Sequence, residues 1–331
     1  MASVTTIAET ISAHVRDEGG GETEARGGDR RVCRIPDAGH KHGKFVRYFI
    51  APLHRDGAVP LTDLTTHPRF FKPDEFINRR IADSNEVHAE NGIIKNMTDL
   101  VATARSLFVK GKGILAADES VHSATARLAA LGIATSPEMR RQYRDLFFGA
   151  EGIEQYLSGI ILFSESLGEK GNDKKLFSSS LAERGIAPGV KVDLGTEPLA
   201  GSPNELITGG LLDLPERLAA HKKQGAVFTK WRAAIRIDGD TLPTALAIHE
   251  NAKRLAIYAK QAQEAGLVPI VEPEVLLEGK HSRARARAVI EETLGTLFSV
   301  LEEHSVDRAS VILKTSMALS GDGSGKQDTP K

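Results

Sequence analysis

From Asn96 onward the chain repeats one unit: a short apolar run followed by an amphipathic helical segment. The runs are GILAAD at 113–118, GIILFS at 159–164, GVKVDL at 189–194, VFTKWR at 227–232, VPIVEPE at 268–274 and SVILKTSM at 310–317. Near-continuous apolar strands separated by helices predict a parallel sheet with helices on its outer side. Among the helical segments, SPEMRRQYRDLFFGA carries Ser136 as an N-cap and Pro137 at the first helical position, with Met139, Tyr143, Leu146 and Phe147 on one face. ALAIHENAKRLAIYAKQAQEAG ends at Gly266, and a third helix is predicted from about Arg283 to His304. This makes six strands, five of them followed by a clear helix.

The ends of these strands carry charge where a buried sheet should be apolar. Asp118, Lys191 with Asp193, Lys230 with Arg232, Glu272 with Glu274, and Lys314 all stand there. Members of each pair are two residues apart and so project to the same side of their strand. A single charge at a strand end is commonly a solvated loop residue. Five strands sharing the feature predict a ring of charge at one end of the sheet, where a βα barrel assembles its chemistry. Trp231 faces away from Lys230 and is read as packing.

The motifs GKGILAADES, GVKVDLG, TKWRA, VPIVEPE and VILK resemble, in order, the strand motifs of class I fructose-bisphosphate aldolases. LSGIILFSESL, LPERL, GLVPIVEPEVL and ALAIHENAKRLAIYA are similar too, and the likeness runs from about Asn96 to Met317. The resemblance implies an α/β fold of the (β/α)8 TIM-barrel type. It implies reversible cleavage of fructose 1,6-bisphosphate to dihydroxyacetone phosphate and glyceraldehyde 3-phosphate through a lysine Schiff base, in glycolysis and gluconeogenesis, with no metal or other cofactor.

Residue roles follow from the same resemblance. Lys314 matches the Schiff-base lysine, whose attack requires an unprotonated amine and so a pKa lowered by burial and a neighbouring cation. Lys230 is that neighbour. Glu272 matches the acid that protonates the leaving hydroxyl when the carbinolamine dehydrates, and Glu274 is expected to pair with Lys230. Asp118 matches the residue near the C4 hydroxyl, whose proton leaves as the C3–C4 bond breaks. Lys191 and Arg232 match cations near a substrate phosphate. The family also suggests a homotetramer.

The sequence departs from the family pattern in three places near this ring. Thr315, Ser316 and Met317 stand where Pro-Asn-Met usually follows the lysine, Val121 and His122 replace Thr-Gly after AADES, and Leu194 replaces a lysine. The motif order also ends after the sixth strand, so the expected fold is an incomplete, C-terminally truncated barrel lacking strands seven and eight. In that case the first and sixth strands would expose unpaired edges. A catalytically impaired chain that binds phosphosugars or a partner is the alternative function. Another Schiff-base lyase, such as a transaldolase, is disfavoured by the paired TKWR and VEPE motifs.

Residues 1–95 match no domain type. DEGGGETEARGGDRR reads as a flexible linker and KFVRYFIAPL as a strand or short core element. Cys33, His40, His42 and His54 have no recognised zinc spacing and are read as an unpaired thiol and solvated histidines. Residues 96–319 form the expected barrel portion, and 320–331 a disordered tail. With 43 basic and 44 acidic residues, the charge balance gives no reason to expect nucleic acid. No apolar run approaches the length of a membrane span. A single cysteine and an N-terminus unlike a secretory signal suit a cytoplasmic protein.

Overall fold

In the computed structural model, which describes residues 48–52 and 91–326 (side chains from Asp99 onward), the six apolar runs become six parallel strands. They are β2 (Gly113–Ala117), β3 (Leu157–Leu162), β4 (Ala187–Lys191), β7 (Phe228–Ile235), β8 (Val268–Val275) and β9 (Ile312–Ser316), each beside the next in chain order. The result is a curled, open sheet, consistent with an incomplete TIM-type α/β fold.

Three further strands lie among the described residues. β1 (Tyr48–Pro52), within the run read as a strand or core element, pairs antiparallel with β9 and sets Ile50 opposite Lys314. The expected bare edge on the sixth strand is therefore covered, because a segment far away in sequence supplies the missing backbone partners. Thr196–Leu199 (β5) and Ser202–Thr208 (β6) form a separate hairpin that the sequence did not announce.

Among the described residues the helices are α1 (Asn91–Ser106), α2 (Val121–Ala130), α3 (Pro137–Phe148), α4 (Ser164–Leu167), α5 (Phe177–Glu183), α6 (Leu214–Lys223), α7 (Ala245–Glu264) and α8 (Arg283–Glu303). The expected caps are present. Ser136 Oγ accepts from the Met139 amide at 3.2 Å, with Pro137 at the head of α3. Gly266 closes α7 with a φ of 72°, in the left-handed region that favours glycine. At the start of α7, Glu205 from the hairpin is buried and accepts from both the amide and the hydroxyl of the capping Thr244, at 2.8 and 2.5 Å. The hairpin is thus locked to the helix that covers β7 and β8.

Side chains from alternate strand positions separate into two cores. The outer one packs Trp231, Val190, Leu162, Val271 and Leu313 against the helices, with Trp231 stacked on Tyr258 of α7 at a ring separation of 5.4 Å. This agrees with Trp231 as packing. The inner core joins Leu100, Ala104 and Leu107, on and just after α1, to Ile161, Phe228, Val268, Ile270 and Ile312. Phe228 fits there because the adjacent β4 and the next strand over, β3, carry glycine beneath its ring. A Cβ on Gly189 would lie 2.1 Å from its ring, and one on Gly159 would lie 3.2 Å from it.

Along β7, β8 and β9 the inner face changes character within one step of two residues. Phe228 gives way to Lys230, Ile270 to Glu272, and Ile312 to Lys314. The N-terminal ends of the strands are therefore apolar and plugged by α1, while the C-terminal ends carry charge.

The tail also differs in part from expectation. Ser320–Lys326 is placed, with a short 3-10 turn at Asp322–Ser324. The Gly321, Asp322 and Gly323 amides donate to the His281, Leu277 and Gly279 carbonyls at 2.9, 3.0 and 2.8 Å. Glycines that look like a flexible tail in sequence here permit close backbone approach to the loop between β8 and α8. Cys33, His40, His42 and His54 lie outside the described residues, as do 327–331.

Candidate active site

Four strands bring their charged ends into one buried cluster. Lys314 Nζ lies 2.6 Å from Glu272 Oε1, and Lys230 Nζ lies 2.8 Å from Glu272 Oε2. Asp118, immediately after β2, reaches Lys230 from the other side at 2.6 Å. The side chains of Lys314, Glu272, Lys230 and Asp118 are only 6, 2, 4 and 12% exposed. Two ammonium groups and two carboxylates thus alternate as Lys314–Glu272–Lys230–Asp118. Burial of this kind is tolerated only when the charges pair.

The electrostatics follow from that alternation. Burial by itself pushes the Glu272 carboxyl up, but the flanking Lys230 and Lys314 outweigh it and hold it down at about 2. Burial likewise disfavours charge on Lys230, yet Asp118, Glu272 and Asp193 prevail and raise its pKa above the ordinary lysine value. Both groups are therefore ionised near neutral pH.

A second layer lies toward the mouth. Lys191 pairs with Asp193, whose other oxygen accepts from the Arg232 amide at 3.1 Å. Asp193, 5% exposed, therefore ties the end of β4 to β7. The sequence reading had Asp193 only as a charge on the same side as Lys191. The signal for more was its place in GVKVDLG, where it must share a face with Lys191.

Glu274 pairs with Arg232, not with Lys230 as expected. Lys230 is already engaged by Asp118 and Glu272, and Glu274 stands two residues further along β8, about 6.6 Å nearer the mouth. The Arg232 side chain remains 37% exposed beside this contact.

The loop that carries Asp118 is fixed by residues the sequence reading did not single out. Glu119 accepts from Tyr143 at 3.2 Å and pairs with Arg127 at 2.6 Å. Arg140 and Arg144 of α3, 7 and 3% exposed, both engage Glu165, at 2.9 and 2.5 Å, and so brace α3 against α4. These arginines look like the solvated face of an amphipathic helix, and only their spacing of four hints at a shared partner.

The three departures now have places. Val121 and His122 open α2, whose cap is Ser120. Leu194 is 67% exposed beyond β4. Thr315 and Ser316 are buried at the end of β9, while Met317 is 42% exposed.

Residues 99–331 match the family model for class I fructose-bisphosphate aldolase. The chain belongs to the class I fructose-bisphosphate aldolase family. It is 44% identical to the probable class 1 fructose-bisphosphate aldolase of Xanthomonas campestris over 70% of this chain and 69% of that protein. It is also 44% identical to bovine fructose-bisphosphate aldolase B over 70% of this chain and 64% of the relative. Among solved structures, the aldolase of Plasmodium falciparum, determined in complex with TRAP and a small-molecule inhibitor, is similar with a TM-score of 0.69. That match is 38% identical and covers 71% of this chain and 68% of the other. The chain thus spans roughly two thirds of the length of the aldolases it matches, between 64 and 69% for these three.

Proposed function

We propose that this chain carries out the class I aldolase reaction, the reversible cleavage of fructose 1,6-bisphosphate through an imine on Lys314. The observation that carries the reading is the position of Glu272, in contact with Lys314 on one oxygen and Lys230 on the other.

The contact supplies a route for the first proton. Glu272 rests ionised, so transfer of a proton from the Lys314 ammonium to its carboxylate is a transient, uphill step, which leaves a neutral amine beside a carboxylic acid 2.6 Å away. The amine adds to the C2 carbonyl of the sugar, giving a carbinolamine. Glu272 then returns its proton to the carbinolamine hydroxyl, which departs as water and leaves an iminium. The Asp118 carboxylate takes the C4 hydroxyl proton as the C3–C4 bond breaks. The bonding electrons move into the iminium, producing an enamine on Lys314 and free glyceraldehyde 3-phosphate. Protonation at C3 and hydrolysis release dihydroxyacetone phosphate. Lys230 stays charged throughout and stabilises anionic oxygen beside Asp118 and Glu272. Arg232 and Lys191, in the outer layer, fit a phosphate at the mouth. In this reading the sheet is the six-strand portion of a (β/α)8 barrel, and the chain works in the cytoplasm as a homotetramer. No helix among the described residues is long and apolar enough to cross a membrane.

The test is borohydride reduction in the presence of dihydroxyacetone phosphate, with the adduct mapped by mass spectrometry, alongside a cleavage assay on fructose 1,6-bisphosphate. A reduced adduct on Lys314 with measurable cleavage supports the reading. An intact chain that binds the sugar phosphate but gives no adduct overturns it in favour of phosphosugar binding alone.

A further inference from the structure

We propose that Ser316 is a positioning residue for the Lys314–Glu272 pair, an inference that rests on the imine reading above. The two catalytic side chains stand on neighbouring strands, so their separation depends on how β8 and β9 are held together near the mouth. Backbone pairing between these strands runs through Ile270↔Ile312 and Val271↔Leu313. Carried two residues further, that register sets Glu272 beside Lys314, and two further still it sets Glu274 beside Ser316.

At that level a side chain joins the strands. The Val275 amide donates to Ser316 Oγ at 3.0 Å, and the Ser316 hydroxyl donates back to the Val275 carbonyl at 3.1 Å. One hydroxyl thus serves both backbone groups of one residue across the strand gap. Val275 and Ser316 are 6 and 9% exposed, so water is a poor substitute for either bond. On its other side β8 remains tied to β7, where the Leu276 amide reaches the Ile235 carbonyl at 2.9 Å. Without the serine bridge, β8 would stay with β7 and β9 with β1, which pairs with it as far as Ser316, and the Lys314–Glu272 contact lies across the seam between these two pairs of strands. Ser316 also lies in one of the three places where this chain departs from the family pattern.

Opening the seam should slow imine formation and leave phosphate binding alone. The other end of β9 supplies a control. Ser310 is fully buried, and its hydroxyl contacts Gln263 Nε2 at 2.8 Å and the Asp307 carbonyl at 3.1 Å, far along the strand from the mouth. Ser316→Ala, Ser316→Cys, Ser316→Thr and Ser310→Ala are compared with the parent chain for the rate of borohydride-trapped adduct on Lys314 and for affinity toward dihydroxyacetone phosphate. Ser316→Ala should trap about ten- to a hundredfold more slowly, the penalty for misplacement of about 1 Å or less, with affinity unchanged. Ser316→Cys should be intermediate, which keeps the test open if the alanine variant fails to fold. Ser316→Thr, which keeps the hydroxyl, should restore the rate, and Ser310→Ala should lose stability while trapping at the parent rate. No adduct in the parent chain removes the imine reading, and this proposal with it. An adduct in the parent, with Ser316→Ala or Ser316→Cys trapping equally fast or Ser310→Ala equally slowed, overturns the positioning role alone.

Discussion

Lys314 Nζ and Glu272 Oε1 are 2.6 Å apart, while the other Glu272 oxygen is 2.8 Å from Lys230. One carboxylate therefore bridges two lysines in a site almost closed to water, and Asp118 supplies the second negative charge on the far side of Lys230.

Glu272→Gln keeps the shape of the side chain and removes that shared charge. It should slow trapping of the Lys314 adduct by about a hundred- to ten-thousandfold, the range for losing a positioned acid–base group. It should also lower stability by about 3–5 kcal/mol, because two buried cations lose their common counter-ion. Single-turnover trapping measures the first effect and urea unfolding the second. Parent-like values in both would remove Glu272 from the mechanism.

Acid should weaken the fold through the same residue. The Glu272 carboxyl is depressed from 4.5 to about 2 in the folded chain. Its contribution is therefore present above the unfolded value and is lost as pH falls from 4.5 toward about 2, on the order of 3 kcal/mol in all. Lys230 has the opposite sign. Its pKa is raised, so its contribution is complete below 10.5 and declines only as pH rises beyond that value. The urea midpoint should thus drop across the acid window, and the drop should be shallower in Glu272→Gln. Parallel pH profiles for the two chains would contradict the assignment.

The parallel strands were legible because each is an apolar run between helices, and the site was legible because charges such as Lys230 and Glu272 end those runs. Partner choice was not. Whether Glu274 meets Lys230 or Arg232 depends on height along β8 relative to the ring, which spacing within one strand does not contain. The hairpin of β5 and β6 escaped notice because Pro198 and Pro203 interrupt the alternation that marks a strand. The buried role of Arg144 was hidden because an arginine on an amphipathic helix ordinarily faces water. Even the partner of β1 is a long-range fact, since nothing near Ile50 in sequence points to Lys314.

Gly189 and Phe228 provide a test of the inner core. A Cβ at position 189 would sit 2.1 Å from the Phe228 ring, so Gly189→Ala should cost about 1–3 kcal/mol or more from overpacking. Adding Phe228→Leu vacates the contested space. In urea unfolding the double variant should be less destabilised than the sum of the two single changes, by at least about 0.5 kcal/mol. Simple additivity would mean that the two residues do not share this volume.

On the proposed reading, variants of Arg232 and Glu274 should separate phosphate recognition from imine chemistry. The partly exposed Arg232 guanidinium lies in the outer layer, whereas Lys230 lies in the buried cluster with Lys314, Glu272 and Asp118. Arg232→Ala should raise KM for fructose 1,6-bisphosphate by about ten- to a hundredfold, the equivalent of one charged hydrogen bond of about 1.5–3 kcal/mol, with kcat nearly unchanged. Arg232→Lys should recover part of the loss, since it keeps the charge without the planar fork. Glu274→Gln decides between the expected and the observed pairing. If Glu274 orients Arg232, the substitution changes KM and leaves Lys314 trapping intact. If trapping falls while KM holds, Glu274 acts on Lys230 in the working enzyme and the pairing with Arg232 is not the one that matters.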